Sequence, residues 1–128
     1  MVKWAEYRDT ARTRGALALE FYVVRSTPIA DPDALRETLP RHLEYQKEME
    51  ASGALVFAGP LSDESGEEMN GEGMIIYRAS TFQEARSLAQ ADPMHSEGRR
   101  TFTLRRWLIN EGSLTVTLSL SGHRGQIE

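Results

Sequence analysis

Between Leu39 and Leu61 the chain reads LPRHLEYQKEMEASGALVFAGPL, a helical pattern that hands directly to an apolar strand. No other stretch restricts the fold as much. Pro40 suits a helical first turn, where a backbone N–H lacks an intrahelical partner anyway, and Gly53 is a natural helix stop. If the helix runs without a kink from about Asp33, then Leu35, Leu39, His42, Gln46 and Met49 share one face, which turns His42 inward. The strand Ala54 to Ala58 follows. Gly59-Pro60 is expected to end its pairing and leave bare backbone at that point.

The flanking elements read outward from there. Residues 2–14 are helical by propensity and only weakly amphipathic. Gly15 breaks them, and Ala16 to Val24 (ALALEFYVV) form a strand whose two faces are both apolar. Ser26 to Asp33 is a loop in which Asp31 or Asp33 caps the following helix. Ser62 to Gly73 (SDESGEEMNGEG) is an acidic, glycine-rich hairpin connection without apolar periodicity, read as mobile. Met74 to Ala79 supply a third strand. Thr81-Phe82-Gln83-Glu84 has the capping-box form and opens a second helix with Phe82, Ala85, Leu88 and Ala89 on its core face. Pro93 forces Asp92 out of the helical region and ends that helix. Thr101 to Ile109 form a fourth strand.

This order, βαββαβ, is the α+β ferredoxin-like arrangement: an antiparallel sheet with both helices on one face, here with an extra N-terminal helix and a C-terminal strand. The other sheet face needs a cover, and a second copy of the chain is the simplest, making the protein a homodimer or higher homo-oligomer. Leu114, Val116, Leu118 and Leu120 alternate with polar residues, so residues 113–121 are expected to extend the sheet or cross to the partner. The tail beyond Gly122, with His123, reads as disordered.

At 128 residues the chain fits a single domain over 1–128 with a core at about 16–109. There is no cysteine, which excludes disulfides, thiolate metal sites and cysteine nucleophiles. The charged N-terminus lacks the apolar centre of a signal peptide, and no run approaches a membrane span, so a cytoplasmic protein without membrane contact is expected. A formal charge of −4 argues against nucleic acid. The cluster Arg99, Arg100, Arg105, Arg106 does not reverse this, because Arg105 and Arg106 face opposite sides of a strand.

Two ionisable residues stand out, His42 on an apolar helical face and Asp92 at a helix end. A carboxylate at a helix C-terminus faces the partial negative charge of free carbonyls, so a donor partner is expected, and the topology allows His42 to be that donor. Each also has a plain structural reading: a core histidine bonded to a carbonyl, and a helix terminator before proline. If they pair, the carboxylate fixes the tautomer of the imidazole and leaves its other nitrogen to move a proton. Gly59 and Pro60 would border the pocket, with Tyr22, Tyr45 or His95 as wall or donor. Tyr22 is also a natural packing residue, and His95 is ordinarily solvated in such a turn. No serine elbow or phosphate-cradling glycine loop is present, no cofactor is called for, and His42, His95 and Asp92 lack the spacing of a metal site.

These motifs carry a resemblance. LPRHLEY, then ASGALVFAGPL, then the acidic hairpin, then EARSLAQADPM together resemble the YCII-related domain family over roughly Leu17 to Leu108. The resemblance implies a ferredoxin-like dimer packed as a dimeric α/β barrel, and an active-site pair corresponding to His42 and Asp92. One branch of the family resembles a dehydrochlorinase acting on chlorinated hydroxyquinols. It departs at Met94-His95 and at both chain ends. The expected function is acid–base proton transfer, of isomerase, lyase or dehydrohalogenase type, on a small cyclic or aromatic molecule. The alternative is a noncatalytic dimeric ligand-binding or interaction module.

Overall fold

The computed structural model of the chain describes residues 1–122 and 124–127. Its elements are α1 (Trp4–Thr13), β1 (Leu19–Pro28), α2 (Pro32–Ser52), β2 (Leu55–Ser62), β3 (Met69–Tyr77), α3 (Phe82–Ala91), α4 (Pro93–Ser96), β4 (Arg100–Ile109), β5 (Val116–Ser119) and β6 (Arg124–Ile127). They fall into two compact units, one spanning Glu20–Trp107 and the other made of Met1–Leu19 with Leu108–Glu128.

In the larger unit the sheet order is β2-β3-β1-β4, the ferredoxin-like order expected from βαββαβ. Antiparallel pairing of β1 with β3 sets Tyr22 opposite Tyr77 and Val24 opposite Ile75. These four side chains, with Ala85 and Ala89 of α3, form the buried core, and Met49, Leu55, Phe82, Leu88, Phe102 and Leu104 pack against it. Alternation then sends Val23, Arg25, Thr27, Thr101, Thr103 and Arg105 to the opposite face. There they line a cleft of about 350 Å³ together with Glu72 and Phe102.

The start and stop signals of the helices act as their chemistry dictates. Asp31, not Asp33, caps α2, accepting from Ala34 N–H at 2.9 Å, and Gly53 closes it in the left-handed region at φ 84°. Thr81 accepts from Glu84 N–H at 3.0 Å; the Glu84 carboxylate reaches back one residue beyond the usual box, to Ser80 N–H at 2.9 Å. Pro40 lies within α2, not in its first turn. The inward stripe also differs from expectation: Thr38 is fully buried while Leu39 is 41% exposed.

Several strand boundaries are longer than the residue types suggest. β2 does not end at Gly59-Pro60 but continues to Ser62, with Gly59 opposite Met74 and Pro60 opposite Gly73. The reason is that β2 is an edge strand, where the missing N–H of proline breaks no ladder bond. β1 runs to Pro28, taking in Ser26, because Arg100 on β4 donates to Ser26 Oγ at 2.8 Å and to its carbonyl at 2.9 Å. The acidic connection is correspondingly short. The Asp63 carboxylate accepts from Ser65 N–H and Oγ, which holds its pKa below the ordinary value, and Met69–Gly73 belong to β3.

In the smaller unit, β5 pairs antiparallel with β6 from Val116↔Ile127 to Ser119↔Arg124 as a separate two-stranded sheet. The C-terminal segment therefore does not extend the main sheet, and residues 124–127 are a strand, not a disordered tail. The expectation for His123 lies outside the described residues.

Candidate active site

Asp92 stands at the junction of α3 and α4, with ψ 125° imposed by the following proline. It is the C-cap of α3 and also the N-cap of α4, its Oδ1 accepting from Met94 N–H at 2.9 Å. The dipole penalty expected at a helix C-terminus is thus met by a donor from the next helix as well as by a histidine. His42 reaches it from α2: Nδ1 lies 2.9 Å from Oδ1 and 2.9 Å from Oδ2, across 50 residues of chain. The Asp92 side chain is fully buried, whereas that of His42 is 19% exposed. A carboxylate facing Nδ1 makes that nitrogen the N–H donor and leaves Nε2 unprotonated in the neutral ring.

Further ionisable groups surround the pair. Tyr45, three residues beyond His42 on α2, donates to the Leu88 carbonyl at 2.6 Å. Burial first, and then the negative charges of Asp92 and Glu48, push its phenol up to about 12. His95 is buried, not solvated: Nδ1–H donates to the Ala89 carbonyl at 2.7 Å, and Nε2 accepts from Ser26 Oγ at 2.8 Å. Burial lowers its pKa, and Ser26 in turn accepts from Arg100, so the chain of bonds needs a neutral imidazole. Across the same short helix, Arg41 of α2 donates to Glu97 at 2.7 Å, and Thr38 Oγ1 donates to it at 3.1 Å.

The structure thus gathers His42, Asp92, Tyr45 and His95 into one neighbourhood. It does not bring in the others. Tyr22 is 3% exposed within the core, its ring edge-on to Phe82 at 6.2 Å. Gly59 and Pro60 are exposed on the edge strand, and among the described residues no hydrogen bond joins them to the pair. Thr38, Ser26, Tyr77 and Arg100 escape sequence reading; only the placement of Thr38 one helical turn before His42 could have pointed to any of them. Among the described residues no group of acidic and histidine side chains is arranged to hold a metal, and no helix is long and apolar enough to cross a membrane.

The sequence model of the YCII-related domain matches residues 20–107, more than half of the chain. The chain belongs to the YCII-related domain family. The matched span coincides with the larger compact unit, so α1 and the β5–β6 hairpin are additions to the family domain. An uncharacterized protein of Bacillus subtilis (strain 168), YjpA, is 26% identical over 76 residues, which is 59% of this chain and 82% of that protein. Among solved structures, 5-chloro-2-hydroxyhydroquinone dehydrochlorinase (TftG) from Burkholderia phenoliruptrix AC1100, in complex with 2,5-dihydroxybenzoquinone, superposes with a TM-score of 0.54. That match is at 19% identity and covers 70% of this chain and 93% of the other. It shares the fold of the YCII-related domain.

Proposed function

We propose that this chain is a small-molecule enzyme in which His42, held by Asp92, moves a proton to or from carbon. The observation that carries the reading is a histidine whose Nδ1 is committed to both oxygens of a fully buried carboxylate while the ring keeps a path to the surface. In such a pair Nε2 takes a proton from a carbon made acidic by a neighbouring carbonyl, and the Asp92 charge faces the cation that forms on the ring. The C–H electron pair becomes a new C=C bond. In an isomerisation the proton returns at another carbon. In an elimination a leaving group such as chloride departs with its bonding pair, and His42 passes the proton to water. The dehydrochlorinase that shares the fold supports a small cyclic or aromatic substrate of this kind.

The working unit in this reading is a homodimer. Phe57, opposite Ile76, and Trp107 are 59% and 42% exposed on the sheet face away from the helices, where a second copy would cover them. Two measurements test the proposal. Chlorinated hydroxyquinols and small cyclic enones are incubated with the protein in heavy water, and deuterium uptake or chloride release is followed by NMR and ion chromatography. His42→Ala is expected to abolish either; retained turnover would remove His42 from the chemistry. Sedimentation should give a dimer that Trp107→Asp weakens, and a monomer at micromolar concentration would reject the pairing.

A further inference from the structure

The polar side chains around Asp92 are satisfied with two exceptions. His42 bonds to Asp92, Tyr45 to the Leu88 carbonyl, His95 to Ala89 and Ser26, and Arg100 to Ser26 and the Gly71 carbonyl. Tyr77 on β3 is fully buried in the layer between sheet and helices, and its hydroxyl has no hydrogen-bond partner among the described residues. A second buried oxygen without a partner, Gln46 Oε1, sits on the inward stripe of α2 one turn beyond His42. Phenylalanine would fill the place of Tyr77 without the free-energy cost of an unpaired hydroxyl, so the oxygen calls for an explanation that packing does not supply. Burial, then the Tyr45 phenol, then the Asp92 carboxylate hold the Tyr77 phenol well above its ordinary pKa. It therefore stays a neutral O–H donor at neutral pH, with the Asp92 charge among those that act on it.

We propose that Tyr77 is a further catalytic residue, its hydroxyl donating to the carbonyl oxygen of a small ring ketone or quinone whose neighbouring C–H faces His42 Nε2. The inference rests on the acid–base reading of His42 and names the other end of the same reaction. As Nε2 takes the proton, the C–H pair forms the C=C bond and the carbonyl π pair moves onto oxygen. There the Tyr77 O–H strengthens its hydrogen bond to the developing enolate and keeps its own proton. Tyr77 is fully buried, so this contact requires the half-buried side chains of the α2 stripe to turn aside and admit the ring.

The test compares wild type, Tyr77→Phe and His42→Ala, using 2,5-dihydroxybenzoquinone as the probe in calorimetric titration and thermal melting of each unliganded chain as the control. Tyr77→Phe is expected to melt at or above the wild-type temperature and to bind the probe at least 10-fold more weakly. A variant that melts several degrees lower overturns the proposal, because the hydroxyl then has a structural partner. Equal affinity in Tyr77→Phe, or no binding of the probe by wild type at millimolar concentration, also overturns it. The two readings fail separately. Turnover retained in His42→Ala sinks the role of His42, while probe affinity lost in Tyr77→Phe still supports the contact.

Discussion

Replacing Asp92 by alanine and by asparagine separates what its carboxylate does for the fold from what it does for the imidazole. Alanine removes the acceptor of two donors at once, His42 Nδ1–H and Met94 N–H, each at 2.9 Å and next to a fully buried side chain. Two unsatisfied donors at about 1–3 kcal/mol each give a loss of about 2–6 kcal/mol. Asparagine keeps the acceptor for Met94 N–H and is an equally good N-cap, so only the charge-assisted bond to His42 weakens, for about 1 kcal/mol. Its amide, however, presents N–H to His42 Nδ1. The ring then turns to the other tautomer, with the proton on Nε2, and a base is lost at little structural cost. Urea denaturation at pH 8 should therefore show a much lower midpoint for Asp92→Ala than for Asp92→Asn, with unchanged slope. Nitrogen-15 imidazole spectra of Asp92→Asn should show Nε2–H in place of Nδ1–H, and activity should fall by about 10²–10⁴ despite the intact fold. Equal midpoints for the two variants, or an Nδ1–H imidazole in Asp92→Asn, would refute this account of the pair.

Gly71 sits at φ 91°, and an added Cβ would lie 2.8 Å from Pro28 Cγ, so Gly71→Ala should cost at least about 1–2 kcal/mol, read from the urea midpoint; wild-type stability would contradict the close approach. The pH dependence of melting should report on His95. Its folded pKa is lowered by burial, with Asp92 acting to raise it and Arg100 and His42 to lower it. The unfolded chain therefore binds the proton first, and the stability it contributes is full above the ordinary value of 6.5 and lost as pH falls below it. His95→Gln should flatten the melting curve between pH 7.5 and 5.5 without touching the separate fall expected near pH 4 from Glu37, Glu97 and Asp63, whose pKa values are also lowered. Tyr45→Phe deletes a 2.6 Å bond to the Leu88 carbonyl and should cost about 1 kcal/mol in the same denaturation assay; no loss would mean that water replaces the phenol.

How far the sequence reaches depends on the range of the interaction that decides each feature. Helix ends are decided within a few residues, and Asp31, Gly53, Thr81 and Pro93 are all legible as caps or breaks. The approach of His42 to Asp92 is legible because topology allows it and the Asp-Pro step asks for a donor. Strand ends are decided by partners far away. Ser26 looks like a loop residue until Arg100, 74 residues later, binds its hydroxyl and carbonyl. Pro60 looks like a terminator until β2 is known to be an edge. Leu39 and Thr38 exchange roles for a similar reason: Thr38 is buried because Glu97 and Arg99 bond to its hydroxyl. The unpaired hydroxyl of Tyr77 leaves no local trace, since any aromatic residue would read alike in a strand of this kind.

The short helix α4 connects these facts into one mechanical argument. Its first cap is Asp92, so whatever holds α4 also aims the carboxylate at His42. It is held from two sides. Outside, Glu97 joins Arg41 and Thr38, but the Arg41 and Glu97 side chains are 48% and 31% exposed, and ion pairs screened by solvent in this way hold little. Inside, His95 is tied to Ala89 and Ser26 with both ring nitrogens engaged, and Ser26 is tied onward to Arg100, a run of mostly buried bonds that cannot be exchanged for water. The inner tie therefore sets the position of Asp92. A single proton added to His95 removes the acceptor that Ser26 uses, so mild acid should loosen the aim of the carboxylate. Activity in His95→Gln, in which no such proton can be added, should then fall less steeply between pH 6.5 and 5.5 than in wild type; parallel profiles would show that α4 holds Asp92 in place without the buried imidazole.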